Sequence, residues 1–231
     1  MKAFLLAAGL GTRLRPLTNE IPKCIVPING KPLLGYWFDI LFESSAIESV
    51  LVNTHYLPEK IEGFIQTTPF QNKIQTVFEK KLLGTAGSLL KNESFFDNDP
   101  IILVHADNYS IFNLDEFIHA HENRPVGCEI TMMTFKTDSP ESCGIVELDE
   151  RQVVKKIYEK KRNPPGNLAN GAVYIVESTI FSFLKRLKKE KIDFSTEVLP
   201  GFINRIYTFY NKNYHRDIGT PVSYQKAQEL Q

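Results

Sequence analysis

Residues Ala3-Phe4-Leu5-Leu6-Ala7 are all apolar, and Gly9 and Gly11 break the run at once. A strand with one wet face alternates polar and apolar residues, whereas a strand apolar throughout must be covered on both faces. In a chain of 231 residues that cover comes from helices packed on both sides of a central sheet. The following residues supply them in alternation. Pro32 to Phe42 reads as a helix with proline in its first turn, Ser49 to Asn53 as a strand and Pro58 to Gln66 as a second early-proline helix. Ile74 to Phe78 is a strand, Ala86 to Lys91 a short helix, Ile101 to His105 a strand and Leu114 to His121 a helix. This order predicts a parallel or mostly parallel α/β sheet. In such sheets ligands bind outside the carboxyl ends of the strands. Gly9–Gly11 and Asp107 are therefore expected on one edge.

The second half changes character. Glu129 to Phe135, Gly144 to Glu147, Val153 to Tyr158 and Ala172 to Val176 read as strands with no long helix between them, a β-rich layer suited to a second substrate. Thr179 to Lys189 reads as an amphipathic helix, and the cations Lys185, Arg186, Lys188, Lys189 and Lys191 as its solvated face. Arg205 to Tyr210 and Tyr214 to Ile218 read as short strands, and a last helix starts near Pro221. There is no internal repeat, and the strongest turn signal, Pro164-Pro165-Gly166, falls between strands of one unit. Residues 1–231 are expected to form one domain, with a nucleotide part over roughly 1–125 and a substrate part over roughly 126–215.

Charge narrows the partners. Lys plus Arg equals 27 and Asp plus Glu equals 27, so no global field marks a nucleic-acid or membrane binder, and any anion site must be local. Cys24, Cys128 and Cys143 are odd in number and form no C-x-x-C, which favours reduced thiols and a cytoplasmic location. The apolar start meets Thr12-Arg13-Leu14-Arg15 too soon for a signal peptide, and nothing reaches the ~20 apolar residues of a membrane helix.

Residues 9–27 carry the chemistry. Gly9 and Gly11 permit a tight turn whose N–H groups can close on an anion, and Arg13, Arg15 and Lys23 add cations within the same loop. Arg suits bidentate phosphate contact and Lys acts as a point charge, so a triphosphate is the natural ligand. Two familiar phosphate loops are absent. Gly11 is followed by Thr-Arg rather than the Gly-Lys-Ser/Thr of a Walker loop, and Leu14 stands where the dinucleotide fingerprint needs glycine. His119 and His121 lack a third ligand at zinc spacing, and Cys24 lacks an activating histidine and is read as packing.

The whole string resembles the signature G-x-G-T-R-L-x-P-x-T-x-x-x-P-K of the sugar-1-phosphate nucleotidyltransferases. Further matches follow in the family's order, namely Leu83-Gly84-Thr85-Ala86-Gly87, His105-Ala106-Asp107-Asn108, Glu159-Lys160 and Tyr214-His215-Arg216-Asp217-Ile218-Gly219-Thr220. The resemblance implies a Rossmann-like α/β fold of the nucleotide-diphospho-sugar transferase type, with a mixed sheet flanked by helices and an inserted β-rich sugar-binding layer. It implies transfer of a nucleoside monophosphate from an NTP to a small phosphorylated substrate, by a monomer or small homo-oligomer. On this view Arg13, Lys23 and Asp107 are catalytic, and Ala8, Gly9, Gly11, Thr12 and Arg13 hold the triphosphate. Gly84 and Thr85 border the base, with glycine admitting backbone to the ring, and Asp107 and Asp217 bind Mg²⁺. Asn108, Glu159, Lys160 and Asn170 contact the acceptor. Read without the family, Glu159-Lys160 also fits a charged surface stretch, Asn170-Gly171 a plain hairpin turn, and Arg15 a surface ion pair. Glu79 fits either an acceptor for guanine N1 and N2 donors or a simple surface acid. The Leu-Gly-Thr-Ala-Gly segment leans towards GTP with a mannose- or heptose-type 1-phosphate. UTP or dTTP, a cytidylyltransferase acting on phosphocholine, and a catalytically silent nucleotide-sugar sensor are the competing expectations. The C-terminal β-helix domain of longer members is not expected.

Overall fold

The computed structural model describes residues 1–230. Its elements are β1 (Lys2–Leu6), β2 (Pro27–Ile28), β3 (Lys31–Pro32), α1 (Leu33–Glu43), β4 (Ser49–Thr54), α2 (Pro58–Gln66), β5 (Ile74–Phe78), α3 (Thr85–Lys91), β6 (Ile101–His105), β7 (Asn108–Ile111) and α4 (Leu114–Glu122). They continue with β8 (Ile130–Lys136), β9 (Gly144–Leu148), β10 (Val154–Glu159), β11 (Leu168–Val176), α5 (Ile180–Arg186), β12 (Ile206–Tyr210), β13 (Tyr214–Asp217) and α6 (Pro221–Gln228).

The central strands run β10-β9-β11-β6-β1-β4-β5, and β8 joins β11 to β12. β1 lies parallel to β4 and β6, and β4 parallel to β5. β11 enters antiparallel against β6, so the sheet is mixed and its β-rich half continues the parallel half. Register sets the site. Leu6 lies opposite both Asn53 and His105, so three strands end level beside the glycine turn.

The apolar run of β1 is buried on both sides, as expected. Ala3 and Leu5 pack into a core with Trp37, Phe38 and Phe117, while Phe4 points into a second core with Leu103, Tyr174 and Phe194. A third, small cluster sits under the glycine loop. There Leu14, Val26 and Ile28 from the loop meet Tyr109 of β7, Ile218 just after β13 and Ala227 of α6. This cluster fastens the C-terminal segment to the N-terminal loop. Ile218→Ala is expected to cost about 2–5 kcal/mol, the usual range for emptying a fully buried Ile site. Urea unfolding measures that loss, and an unchanged midpoint would contradict it.

Three segments depart from the sequence expectation. β7 was not anticipated, since Asn-Tyr-Ser-Ile is short and its antiparallel partner β13 is remote in sequence, with Asp217 opposite Asn108. Asn170-Gly171 is no hairpin turn but lies inside β11, where the register shifts and Ala172 takes φ 52°. Helix α5 stops at Arg186, short of the expected Lys189. Lys188 turns the chain at φ 51°, which frees Ile192 to bond Leu83, Ala86 and Gly87.

Candidate active site

The glycine turn is built around Gly11, whose φ of 64° favours a residue without a Cβ. Its carbonyl accepts from the Leu14 N–H at 3.0 Å and the Thr18 hydroxyl at 2.7 Å. A Cβ at Gly11 would approach the Thr18 and Lys23 side chains to 3.1–3.2 Å, so the turn is closed down onto the lysine stem.

Lys23 lies under this turn, buried except for a 7% residual exposure of its side chain. Its ammonium donates to Asp107 Oδ2 at 2.7 Å and to Asp217 Oδ1 at 2.7 Å. The two carboxylates keep 41% and 49% of their side-chain surface open. Arg13 Nη2 stands 3.5 Å from Asp217 Oδ2. Desolvation works to lower the Lys23 pKa, but Asp107 and Asp217 outweigh it and hold the amine above its ordinary value. Desolvation likewise works to raise Asp107, yet Lys23 and then His105 bring it below the usual carboxylate range. Lys23 is therefore an ammonium and Asp107 a carboxylate at neutral pH.

Two clefts meet here. The first, about 430 Å³, is lined by Ala8, Gly9, Gly11, Thr12, Arg13, Lys23, Glu79, Gly84, Thr85 and Asp107. These include all the residues expected to bind nucleotide. The second, about 570 Å³, is lined by Asn108, Glu159, Lys160, Asn170 and Asp217, among others. Arg13, His105 and Asp107 line both, which puts Asp107 at the junction, with Asp217 on the side of the second cleft. Arg15 is exposed and lines neither cleft.

In the first cleft the Asn53 side chain accepts from the Ala7 N–H at 2.7 Å and donates to Glu79 Oε1 at 2.9 Å. Glu79 is 1% exposed, which overturns the surface-acid alternative. Its other oxygen, Oε2, has no hydrogen-bond partner among the described residues. A buried acceptor without a donor is costly, and here the polar atom belongs to a side chain that lines a cleft. Gly84 and Gly87 also make room for a second segment. A Cβ at either would come within 2.5 Å of the Ile192 or Glu190 carbonyl, so both glycines admit the returning 190–192 segment. That segment brings Lys191 into the first cleft, so Lys191 is more than part of a solvated face.

In the second cleft Glu159 is half-buried, and desolvation lifts its carboxyl pKa against the pull of Lys160. Lys160 is exposed on a left-handed backbone at φ 47°, its ammonium 3.9 Å from Glu159 Oε1. Asn170 spends Oδ1 on the Ala172 N–H and one amide hydrogen on the Tyr174 hydroxyl. The Asn108 side chain donates to the Gly171 carbonyl at 3.3 Å.

Sequence reasoning missed several lining residues. Asn53 is recognisable as a polar residue at the carboxyl end of an otherwise apolar strand. Asp193 is recognisable as a cap, for its carboxylate accepts from the Thr196 N–H at 2.8 Å. Arg216 and Lys226, both on the Asp138 carboxylate, carried no local signal.

Cys24 and His121 behave as structure. Burial pushes the Cys24 thiol up to about 12, in keeping with its reading as packing. Among the described residues no group of three His, Cys, Asp or Glu could hold a metal ion. His121 bonds Thr131 Oγ1 at 2.8 Å beside Glu177, and burial, with Arg124, lowers its pKa from 6.5 to about 4. The unfolded chain then takes up this proton first. Stability is complete above pH 6.5 and falls as the pH drops towards 4. The melting temperature should decline over that window, and less steeply in His121→Gln; equal slopes would refute the assignment.

A doubly covered sheet whose strand ends carry a cationic glycine turn, joined through an acid pair to a polar second cleft, defines an α/β protein with two adjoining clefts at the strand ends. The family described as nucleotidyl transferase matches residues 2–231, and the chain belongs to it. Mannose-1-phosphate guanylyltransferase 1 of Arabidopsis thaliana is 30% identical over 97% of this chain and 63% of its own length. The chain spans 62% to 63% of the length of this and other curated relatives. The crystal structure of HddC from Yersinia pseudotuberculosis is 27% identical, covers 99% of this chain and 98% of that one, and superposes with a TM-score of 0.81. HddC complexed with GMP-PN gives 0.80, at the same identity and coverage. Among the described residues no helix is long and apolar enough to cross a membrane.

Proposed function

We propose that the chain transfers a guanylyl group from GTP to a sugar 1-phosphate of the mannose or heptose type. A phosphate oxygen of the acceptor, lying in the second cleft, forms a bond to the α-phosphorus of GTP in the first. The bond from that phosphorus to the bridging oxygen breaks, and pyrophosphate leaves. The nucleophile is already an anion, so no strong base is required, and positioning plus charge neutralisation carry the step. The observation behind this reading is the convergence of Lys23, Asp107 and Asp217 where the clefts meet.

The protein groups divide the work. Backbone N–H groups around Gly9–Gly11 and the Arg13 guanidinium face the triphosphate. Lys23 offsets the charge that grows on the α-phosphate. Asp107 and Asp217 fit a divalent cation. Both oxygens lie 2.7 Å from one ammonium nitrogen, so they are close enough to share an ion. Two carboxylates completed by phosphate oxygens and water is the donor set Mg²⁺ prefers. When bound there, Mg²⁺ would neutralise phosphate charge. Glu159, Lys160, Asn108 and Asn170 would contact the sugar and its phosphate.

Three observations favour guanine. Glu79 offers a buried, unpartnered oxygen to donors such as N1–H and N2–H. The name of the Arabidopsis relative specifies guanylyl transfer. HddC was crystallised with GMP-PN. A phosphocholine acceptor is disfavoured, for Phe135 is the one phenyl ring among the described residues lining the second cleft, and a quaternary amine calls for a cage of rings. Retention of the acids and cations together speaks against a silent sensor. The test is a Mg²⁺-dependent pyrophosphate-release panel of five NTPs against several sugar 1-phosphates and phosphocholine. GTP should rank first; UTP or CTP ahead of GTP overturns the base assignment, and no release with any pair overturns the enzyme.

A further inference from the structure

The ammonium of Lys23 sits at 2.7 Å from each of the two carboxylates assigned to the metal. A lysine fixed on one acid would be an ordinary ion pair. One shared between both, from a stem almost wholly buried, occupies the place a divalent cation needs. We propose that Lys23 is the internal counter-ion of this acid pair, holding it closed to metal until an incoming triphosphate draws the ammonium away.

The fold makes that exchange mechanical. Lys23 stands in a single helical turn whose backbone is pinned, its carbonyl accepting from Val26 N–H at 3.2 Å. Its Cβ lies 3.2 Å from where a Cβ would stand on Gly11, in the turn that receives phosphate. The stem therefore runs between the phosphate turn and the acids, and rotation about side-chain bonds alone carries the charge from one to the other. Arg13 repeats the arrangement, with its guanidinium resting 3.5 Å from Asp217. Lys23 and Arg13 both face Asp217, and a triphosphate competes for both. A divalent ion arriving alone meets carboxylates already neutralised and a buried positive charge that repels it. An ion arriving with the triphosphate meets neither. Metal and nucleotide affinity are thereby coupled through one side chain, and the coupling is reciprocal.

The inference rests on the assignment of Asp107 and Asp217 as metal ligands, and the test separates the two. Mn²⁺ binding to the nucleotide-free full chain is measured by calorimetric titration or by the Mn²⁺ electron-resonance signal. Lys23→Met removes the charge and keeps the stem. It should bind Mn²⁺ at least about tenfold tighter than the parent protein, the gain expected of a full unit charge removed at contact distance. Asp107→Asn placed on that background should abolish the gain. Lys23→Gln is the second variant should the Met protein not fold. The proposal is overturned if neither variant tightens Mn²⁺ binding, or if the parent chain already binds Mn²⁺ as tightly without nucleotide. The underlying ligand assignment fails separately, if Asp107→Asn alone leaves the Mn²⁺ dependence of turnover unchanged.

Discussion

Lys23→Ala should lower kcat by about 10²- to 10³-fold, the loss expected when one preorganised positive group aimed at transition-state charge is removed. Among the described residues the lysine is the one cation in contact with both Asp107 and Asp217, and its stem packs beneath the glycine turn. Charge on the α-phosphate grows as the acceptor oxygen approaches, so the interaction strengthens in the transition state and the loss falls on kcat more than on KM. The fold should survive. The acids left behind are 41% and 49% exposed, so water takes over their solvation. A melting temperature within a few degrees of the parent, together with collapsed pyrophosphate release, is the expected pair of results. Collapse with a GTP KM raised in proportion and kcat unchanged would reassign Lys23 to ground-state binding.

Glu79→Gln should lower kcat/KM for GTP by roughly 10- to 150-fold while changing that for UTP and CTP far less. The substitution keeps shape and burial. It also keeps an oxygen for the Asn53 amide, which now bonds Glu79 Oε1 at 2.9 Å. What changes is the other atom, where an acceptor becomes an NH₂ donor, a mismatch with the guanine donors proposed to meet it. A hydrogen bond to a charged group is worth about 1.5–3 kcal/mol, and each 1.4 kcal/mol is tenfold. A site built around a donor–acceptor match rejects the mismatch, because the buried polar atoms are then left unpaired. The readout is the ratio of GTP to UTP efficiencies in parent and variant. A ratio unchanged within a factor of two would remove Glu79 from base recognition.

Much of the fold was legible in the sequence for one reason, that its signals are local. The apolar run of β1 demanded cover on both faces and received it. Helix α2 at Pro58–Gln66 and strands β5 and β6 fall on the residues expected, because early proline and continuous apolar segments act over a few positions. Expectation failed where a distant partner decides. Asn108–Ile111 is a strand because β13 lies against it, and Asn170-Gly171 is strand because this part of β11 is held between β8 and β9. Helix α5 ends early because Ile192 is needed at Leu83, not because the sequence after Arg186 ceases to favour helix.

The same division runs through the site. Residues 9–27 by themselves determined a glycine turn with three cations, since glycine freedom and side-chain charge are properties of the residues in that stretch. The alternation of strands and helices along the first half of the chain separately put Asp107 on the same edge. Only the tertiary structure decided that Lys23 takes both acids, that Asp217 arrives through the Leu14–Tyr109–Ile218 cluster, and that Glu79 is buried with one oxygen free. These depend on which distant segments exclude water together, and a pattern read over neighbouring residues does not specify that contact.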